Sequence, residues 1–269
     1  MSGHCWLFVP GHRPSRFERA RASGAAVVIC DLEDGVPDDQ KGEARENIRS
    51  WLEAEGSAWV RINGAGTPWH EQDIAALSGA VGLAGWVLPK VEKAADLDAL
   101  DGTSAAVAPI IESAAGTEHL ESILCHPPVA TAILGTVDLA ADLGVDHDAA
   151  LLDHVRARLV IASRATGRPA PIDGVTLDFA DPVTAEADAR KARRSGFGGK
   201  LAIHPDQIAA IERGFRPEPE AVERARRTLA GAGAGGAVAV GGVMVDAPVV
   251  ARARQILAAA GAEQEDESR

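Results

Sequence analysis

VVICDLEDGV, residues 27–36, carries four apolar residues straight into Asp31, Glu33 and Asp34 and then a glycine. A run that is apolar throughout, without alternation, suits a strand of a parallel sheet covered on both faces. The three acids at its end are either ordinary turn residues or the wall of a site for a cation or a proton. Counting this run as Ala26–Asp31, eight of the kind recur, the others being Cys5–Val9, Ala58–Asn63, Gly85–Leu88, Ala106–Glu112, Ala130–Leu134, Ala170–Val175 and Lys200–His204. Segments with helical spacing lie between them. Ala44, Ile48, Trp51 and Leu52 fall on one helix face, as do Leu152, Val155, Leu159 and Ala162. Eight strands in a βα rhythm predict a (β/α)8 TIM barrel, a fold of typically ~250 residues. A doubly wound open sheet is the alternative, and the count of strands favours the barrel.

The rhythm stops near Phe215. A charged helix from Glu218 to Leu229 leads into GAGAGGAVAVGG, read as a flexible connector. GVMVDAPVV then opens a last helix with Val249, Ala253, Ile256 and Ala260 on one stripe, and the closing EQEDESR reads as a disordered acidic tail. The expected organisation is a barrel over 1–215, a C-terminal helical appendage or lid over 216–262 on the glycine-rich connector, and a tail over 263–269. Gly231 to Gly236 matches GxGxxG formally, but it follows a helix and no acid stands ~20 residues on, so it is no dinucleotide site.

Composition removes several classes of function. The chain has 269 residues and a net charge of −12, which argues against nucleic acid as a partner. No apolar run reaches the roughly 20 residues of a membrane span. MSGHCWLFVPGHRP lacks the features of a signal peptide, and Cys5, Cys30 and Cys125 have no CxxC spacing. These features read as a cytoplasmic protein with reduced thiols. There is no P-loop, no nucleophile elbow and no pair of histidines at zinc-ligand spacing.

In a barrel the C-terminal ends of the strands face the mouth of the active site. In order, those ends carry His12-Arg13, Glu33-Asp34, Arg61 with Asn63, Lys90, Glu112-Ser113, Asp138, Asp173 or Asp178, and His204. Carboxylates and cations thus alternate round one rim. Oxygen ligands without a His/Cys set suit a hard cation, Mg2+ or Mn2+. Glu112 ends the apolar run AVAPII, and a buried carboxylate without a partner needs a cation or a proton. Plainer readings stand beside these. Asp138 serves equally as a helix cap, Arg61 as a buried ion pair with Glu33 or Asp34, and Asp246 as an N-cap. His204-Pro205 reads as a turn, and Arg13 and Arg16 as an exposed helix start.

WLFVPGHRPSRFERA, VVICDLEDGV, VRIN, VLPKVE, IIESAAG, DLAADLG, AIHPDQI and GVMVDAPVV occur in this order between residue 6 and about residue 258. Together they resemble the citrate lyase β-subunit-like proteins of the HpcH/HpaI aldolase superfamily, relatives of malyl-CoA and citramalyl-CoA lyases. The resemblance implies a TIM barrel assembled as trimers or multiples of trimers. It implies Mg2+-dependent aldol or Claisen-type cleavage or condensation of a 3-hydroxyacyl-CoA thioester such as citramalyl-CoA or malyl-CoA, giving a 2-oxo acid and an acyl-CoA. It further implies Glu112 and Asp138 as metal ligands and Arg61 as the group that polarises the substrate. Glu33 and Asp34 would lie near the metal's waters, and Asp246 would exchange a proton across a subunit interface. Arg13, Arg16 and Lys90 would face the CoA phosphates or the substrate carboxylate. Val137 departs from the residue expected before Asp138. An N-terminus shorter than in β subunits of multi-subunit citrate lyase favours a stand-alone enzyme. A divalent-metal aldolase on free 2-oxo acids and the citryl lyase subunit of a complex are the alternatives.

Overall fold

The structure, a computed structural model, describes residues 3–232, 238–240 and 243–261. Eight parallel strands close into a barrel in sequence order. They are β1 (Cys5–Pro10), β2 (Val27–Asp31), β3 (Ala58–Arg61), β4 (Leu83–Leu88), β5 (Ala106–Ile111), β6 (Ile133–Leu134), β7 (Ile172–Asp173) and β8 (Gly199–Ala202), with β8 pairing back to β1. The helices that follow the strands are α1 (Phe17–Arg21), α2 (Lys41–Glu53), α3 (His70–Leu77), α4 (Ala114–Glu118), α5 (Leu120–Leu124), α6 (Thr136–Leu143), α7 (Ala150–Ala165), α8 (Pro182–Ser195) and α9 (Ile208–Phe215).

The period-2 alternation of each strand sorts its residues between two cores. Trp6, Ile29, Trp59, Val87, Ile110, Ile133, Ile172 and Leu201 pack together inside the barrel, where Trp6 and Trp59 meet at 5.1 Å between ring centroids. The intervening Leu7, Val28, Cys30, Val60 and Trp86 are also buried; by alternation they face the helices. This is why the strands carry apolar residues on both faces. On α2 the buried stripe is Lys41, Ala44, Ile48 and Leu52, and on α7 it is Leu152, Val155, Leu159 and Ser163.

Parity also lifts polar residues into the mouth. Two residues beyond Ile29, Trp59 and Ile110 come Asp31, Arg61 and Glu112, on the inward side of their strand ends. Register sets Asp31 directly opposite Arg61 on the neighbouring strand.

The chain divides into two compact units, Met1–Gly214 and Phe215–Arg269. In the second, α10 (Pro219–Gly231) and α11 (Ala247–Ala259) enclose a small core of Ala225, Ala253 and Leu257. The stretch read as a flexible connector is in part ordered: β9 (Val238–Val240) and β10 (Val243–Val245) pair antiparallel. Two triplets with valine at both ends, Val238–Val240 and Val243–Val245, separated by Gly241-Gly242, are a hairpin signal that outweighs the glycine count. Residues 263–269 and most of the GxGxxG match lie outside the described residues. No helix among the described residues is long and apolar enough to cross a membrane.

Candidate active site

At the C-terminal mouth of the barrel, Phe8, Ile110, Leu134, Val175, Leu201 and Ile203 wall a cavity of about 290 Å3. Asp31, Asp34, Arg61, Glu112, Thr136 and Asp138 also line it.

Arg61 is the centre of its polar side. Its Nε and Nη2 donate to the two oxygens of Asp31 at 2.6 and 2.7 Å, and its Nη1 lies 2.9 Å from Glu33 Oε2. The guanidinium packs over the ring of Phe8 at 4.6 Å. Burial alone would pull its pKa down, but Asp31 and Glu33 hold it above the ordinary arginine value. Asp31 also accepts from the backbone N–H groups of Glu33 and Gly35, both at 2.9 Å. Burial would raise its pKa, yet Arg61 and these two donors keep it below the usual carboxylate range. A Cβ at position 35 would stand 2.4 Å from Asp31 Oδ2, so the turn requires glycine there. The ion-pair partner of Arg61 is thus Asp31 first and Glu33 second, with Asp34 further out. The acids at the end of β2 divide accordingly: Asp31 takes four donors, Glu33 pairs with Arg61, and Asp34 lines the cavity.

Lys90 closes the ring. Its ammonium donates to Glu33 Oε1 at 2.5 Å and lies 3.6 Å from Asp34 Oδ1. Its backbone N–H donates to Glu112 Oε1 at 2.6 Å. The residue adopts φ 57, a left-handed conformation that costs a non-glycine residue about 1–2 kcal/mol. Behind the loop, the buried Lys41 donates to the carbonyls of Leu32 and Glu33 and packs on Trp69.

Glu112 and Asp138 form the opposite wall. Glu112 is buried and accepts from one N–H, and burial, the charge of Asp138 and that of Glu33 push its pKa from 4.5 to about 8. Asp138 does not cap α6. The cap position is Gly135, and Asp138 sits in the first turn with no hydrogen bond or ion pair to its carboxylate among the described residues. A Cβ at Gly135 would meet Glu112 Oε2 at 2.5 Å, so the glycine leaves space for that oxygen. Two carboxyl groups share one apolar-walled cavity, where burial and the charge of Asp138 favour the protonated form of Glu112. This donor set fits a hard divalent cation.

The other expected residues are placed as follows. Arg16 lines a second cavity of about 290 Å3, together with Arg19 and His204; Phe8, Pro10 and Ile203 are shared between the two cavities. Arg13 is exposed and lines neither. His204 caps the 3-10 turn Pro205–Gln207 through Asp206 N–H, the turn expected from its sequence. Asn63 turns away to Asp73, and Asp173 pairs with Arg156 on α7 at 3.0 Å. Asp178 is exposed. Val137 is on the cavity rim, 42% exposed. Asp246 is the N-cap of α11, accepting from Val249 N–H at 3.2 Å. The sequence reading passes over Arg19, Lys41 and the apolar wall. Arg19 lies one helical turn from Arg16, a spacing visible in the sequence.

Comparison with known proteins follows the same lines. The sequence profile of the HpcH/HpaI aldolase/citrate lyase family matches residues 4–205. A citrate lyase subunit beta-like protein of Mycobacterium tuberculosis is 39% identical, the match covering 97% of this chain and 96% of the relative. An L-malyl-CoA/beta-methylmalyl-CoA lyase of Cereibacter sphaeroides is 36% identical over 94% of this chain and 93% of its own length. The crystal structure of CitE from Mycobacterium tuberculosis in complex with magnesium, acetoacetate and coenzyme A superposes with a TM-score of 0.89 at 37% identity, covering 96% of this chain and 98% of that one. The chain belongs to the HpcH/HpaI aldolase/citrate lyase family.

Proposed function

We propose that the protein is a Mg2+-dependent carbon–carbon lyase, cleaving or forming a 3-hydroxyacyl-CoA thioester of the malyl-CoA or citramalyl-CoA type. The products of cleavage are a 2-oxo acid and an acyl-CoA. The observation that carries this reading is the pair Glu112 and Asp138 in an apolar-walled cavity that Arg61 also lines, with Glu112 pushed up to about 8. Relatives bind magnesium and coenzyme A or are named for malyl-CoA cleavage, which supports the same choice.

Glu112 and Asp138 would hold the ion, which supplies Lewis-acid and template chemistry for the substrate's hydroxyl and carboxylate when bound. Arg61 has one N–H left on each terminal nitrogen after serving Asp31 and Glu33. Arg61 lines the cavity, and these N–H groups would serve as donors for the oxygen that gains charge, a role typically worth ~3 kcal/mol. The hydroxyl gives up its proton, its oxygen becomes the carbonyl of the 2-oxo acid, and the electron pair of the broken bond passes to the thioester as an enolate. Glu33 and Asp34 border the region where that proton leaves. Asp246 returns a proton to the enolate carbon, delivered by the C-terminal unit of a neighbouring subunit in a trimer. The unit then acts as a lid that keeps water from the enolate. Arg16, with Arg13 near the chain turn, takes the CoA phosphates. Unpaired Cys5, Cys30 and Cys125 support a cytoplasmic setting.

The test is release of 2-oxo acid from malyl-, citramalyl- and citryl-CoA by the purified protein, with Mg2+ or with a chelator. Release from one thioester that needs the metal and disappears in Glu112→Ala establishes the lyase and names its substrate. A folded protein silent on all three, but active on free hydroxy-oxo acids, overturns it in favour of the free-acid aldolase.

A further inference from the structure

We propose that Lys90 is a positioning residue that ties the metal-binding carboxylate to the substrate-polarising arginine, and is not a contact for the phosphates of the thioester. Its role in turnover rests on the lyase reading; its geometry does not. One residue serves two acids through two different donors. The main-chain N–H fixes Glu112 Oε1 at 2.6 Å, and the ammonium fixes Glu33 Oε1 at 2.5 Å. Glu33 in turn passes its other oxygen to Arg61 Nη1 at 2.9 Å. The path from Glu112 through Lys90 and Glu33 to Arg61 is continuous.

The backbone shows that the side chain matters. At φ 57 glycine would sit without strain, and glycine would supply the same N–H to Glu112. It would lack the ammonium. The chain keeps a lysine in a conformation disfavoured for it, as expected where a functional contact outweighs local strain. The ammonium is also already shared between Glu33 and Asp34. A phosphate that drew it away would leave Asp34 without its cation and Glu33 held by Arg61 alone. Arg16 and Arg19, by contrast, line the neighbouring cavity and pair with no carboxylate among the described residues.

The experiment compares wild type, Lys90→Met, Lys90→Arg and Lys90→Gly on a CoA thioester and on the same acyl group carried by pantetheine, which lacks the nucleotide phosphates. For a positioning residue, Lys90→Met lowers kcat about 10–100-fold on both substrates, with KM for the CoA thioester changed far less. Lys90→Arg restores most of the rate, and Lys90→Gly melts at or above the temperature of Lys90→Met because the strain is gone. A raised KM for the CoA thioester, with the pantetheine thioester unaffected, makes Lys90 a phosphate contact and overturns the proposal. Unchanged kinetics on both overturns it as well. If the wild type cleaves neither thioester, the lyase reading falls, and calorimetric titration of pyruvate into the Mg2+-loaded proteins decides for Lys90. About tenfold weaker binding by Lys90→Met sustains the positioning role; equal affinity, or no binding by the wild type, removes it.

Discussion

Glu112 occupies a place where an ionised carboxylate is poorly supported: buried, facing Asp138, with a single N–H as donor. The folded protein holds its proton up to about pH 8, whereas the unfolded chain releases it near 4.5. Between those values the native state binds the extra proton, so this group's contribution to the stability of the metal-free protein is lost as pH rises through that window. A cation needs the ionised form. Affinity for Mg2+ is therefore expected to climb by about tenfold per pH unit below that pKa and to level off above it, with one proton released per ion. Calorimetry across the window in buffers of different ionisation enthalpy checks this, and an affinity flat with pH would refute it. Glu112→Gln should abolish Mg2+ binding and remove this group's pH dependence from the metal-free melting curve. Asp31 makes a different demand. It answers four donors, and Asn in its place leaves Arg61 half-paired in a buried site. Asp31→Asn should cost about 3 kcal/mol or more in urea denaturation, and a loss under 1 kcal/mol, typical of a surface pair, would show that Glu33 alone suffices.

Helix α6 begins against the carboxylate it serves. Ala at Gly135 would put a Cβ 2.5 Å from Glu112 Oε2 and 2.6 Å from its Cβ. Gly135→Ala should keep the far-ultraviolet circular dichroism of the wild type and weaken Mg2+ binding by about 10–100-fold; unchanged affinity would mean that the ion is held elsewhere. Elements of this kind were largely legible in the sequence. All eight strands stand where unalternating apolar runs place them, because burial on both faces writes itself directly into composition. Strands β6 and β7 are shorter than their runs, Ile133–Leu134 and Ile172–Asp173, because apolar character marks burial and not ladder pairing. Arg61, Glu112 and Glu33 were legible through their position at strand ends. Asp173 was not, although parity could have excluded it: Ile172 points into the barrel, so its neighbour points to the helices. The pairing of Arg61 with Asp31 depends on register between two strands, and the reach of Lys90 to Glu33 crosses from one loop to another. Neither leaves a mark in local sequence. The hairpin of β9 and β10 was hidden by the glycines before it and between its strands.

At the scale of the whole molecule, a chain of net charge −12 is proposed to take an anionic thioester, and it does so by keeping its cations local. Arg61 and Lys90 are engaged by the acids of the mouth, and Arg16 and Arg19 line the cavity beside it. On the proposed mechanism the acids lining the barrel's cavity already have roles, Asp31 with Arg61, Glu112 and Asp138 with the ion, and Asp34 beside the proton of the hydroxyl, which leaves protonation of the enolate carbon to another group. Asp246, in the second compact unit, is the acid proposed for that step. If it serves the barrel of a neighbouring subunit, each active site is built from two chains, and two different inactive variants can repair one another. Glu112→Gln destroys the barrel half of a site and Asp246→Asn the lid half. Each variant alone should be inactive, with Asp246→Asn still binding Mg2+. Co-expressed at equal levels and purified as mixed oligomers, they should regain about a quarter of wild-type kcat per chain, because random pairing joins an intact barrel to an intact lid in that share of sites. Were Asp246 to act on its own barrel, every site in the mixture would carry a lesion and no activity would return. Turnover by Asp246→Asn alone would instead show that another acid delivers the proton.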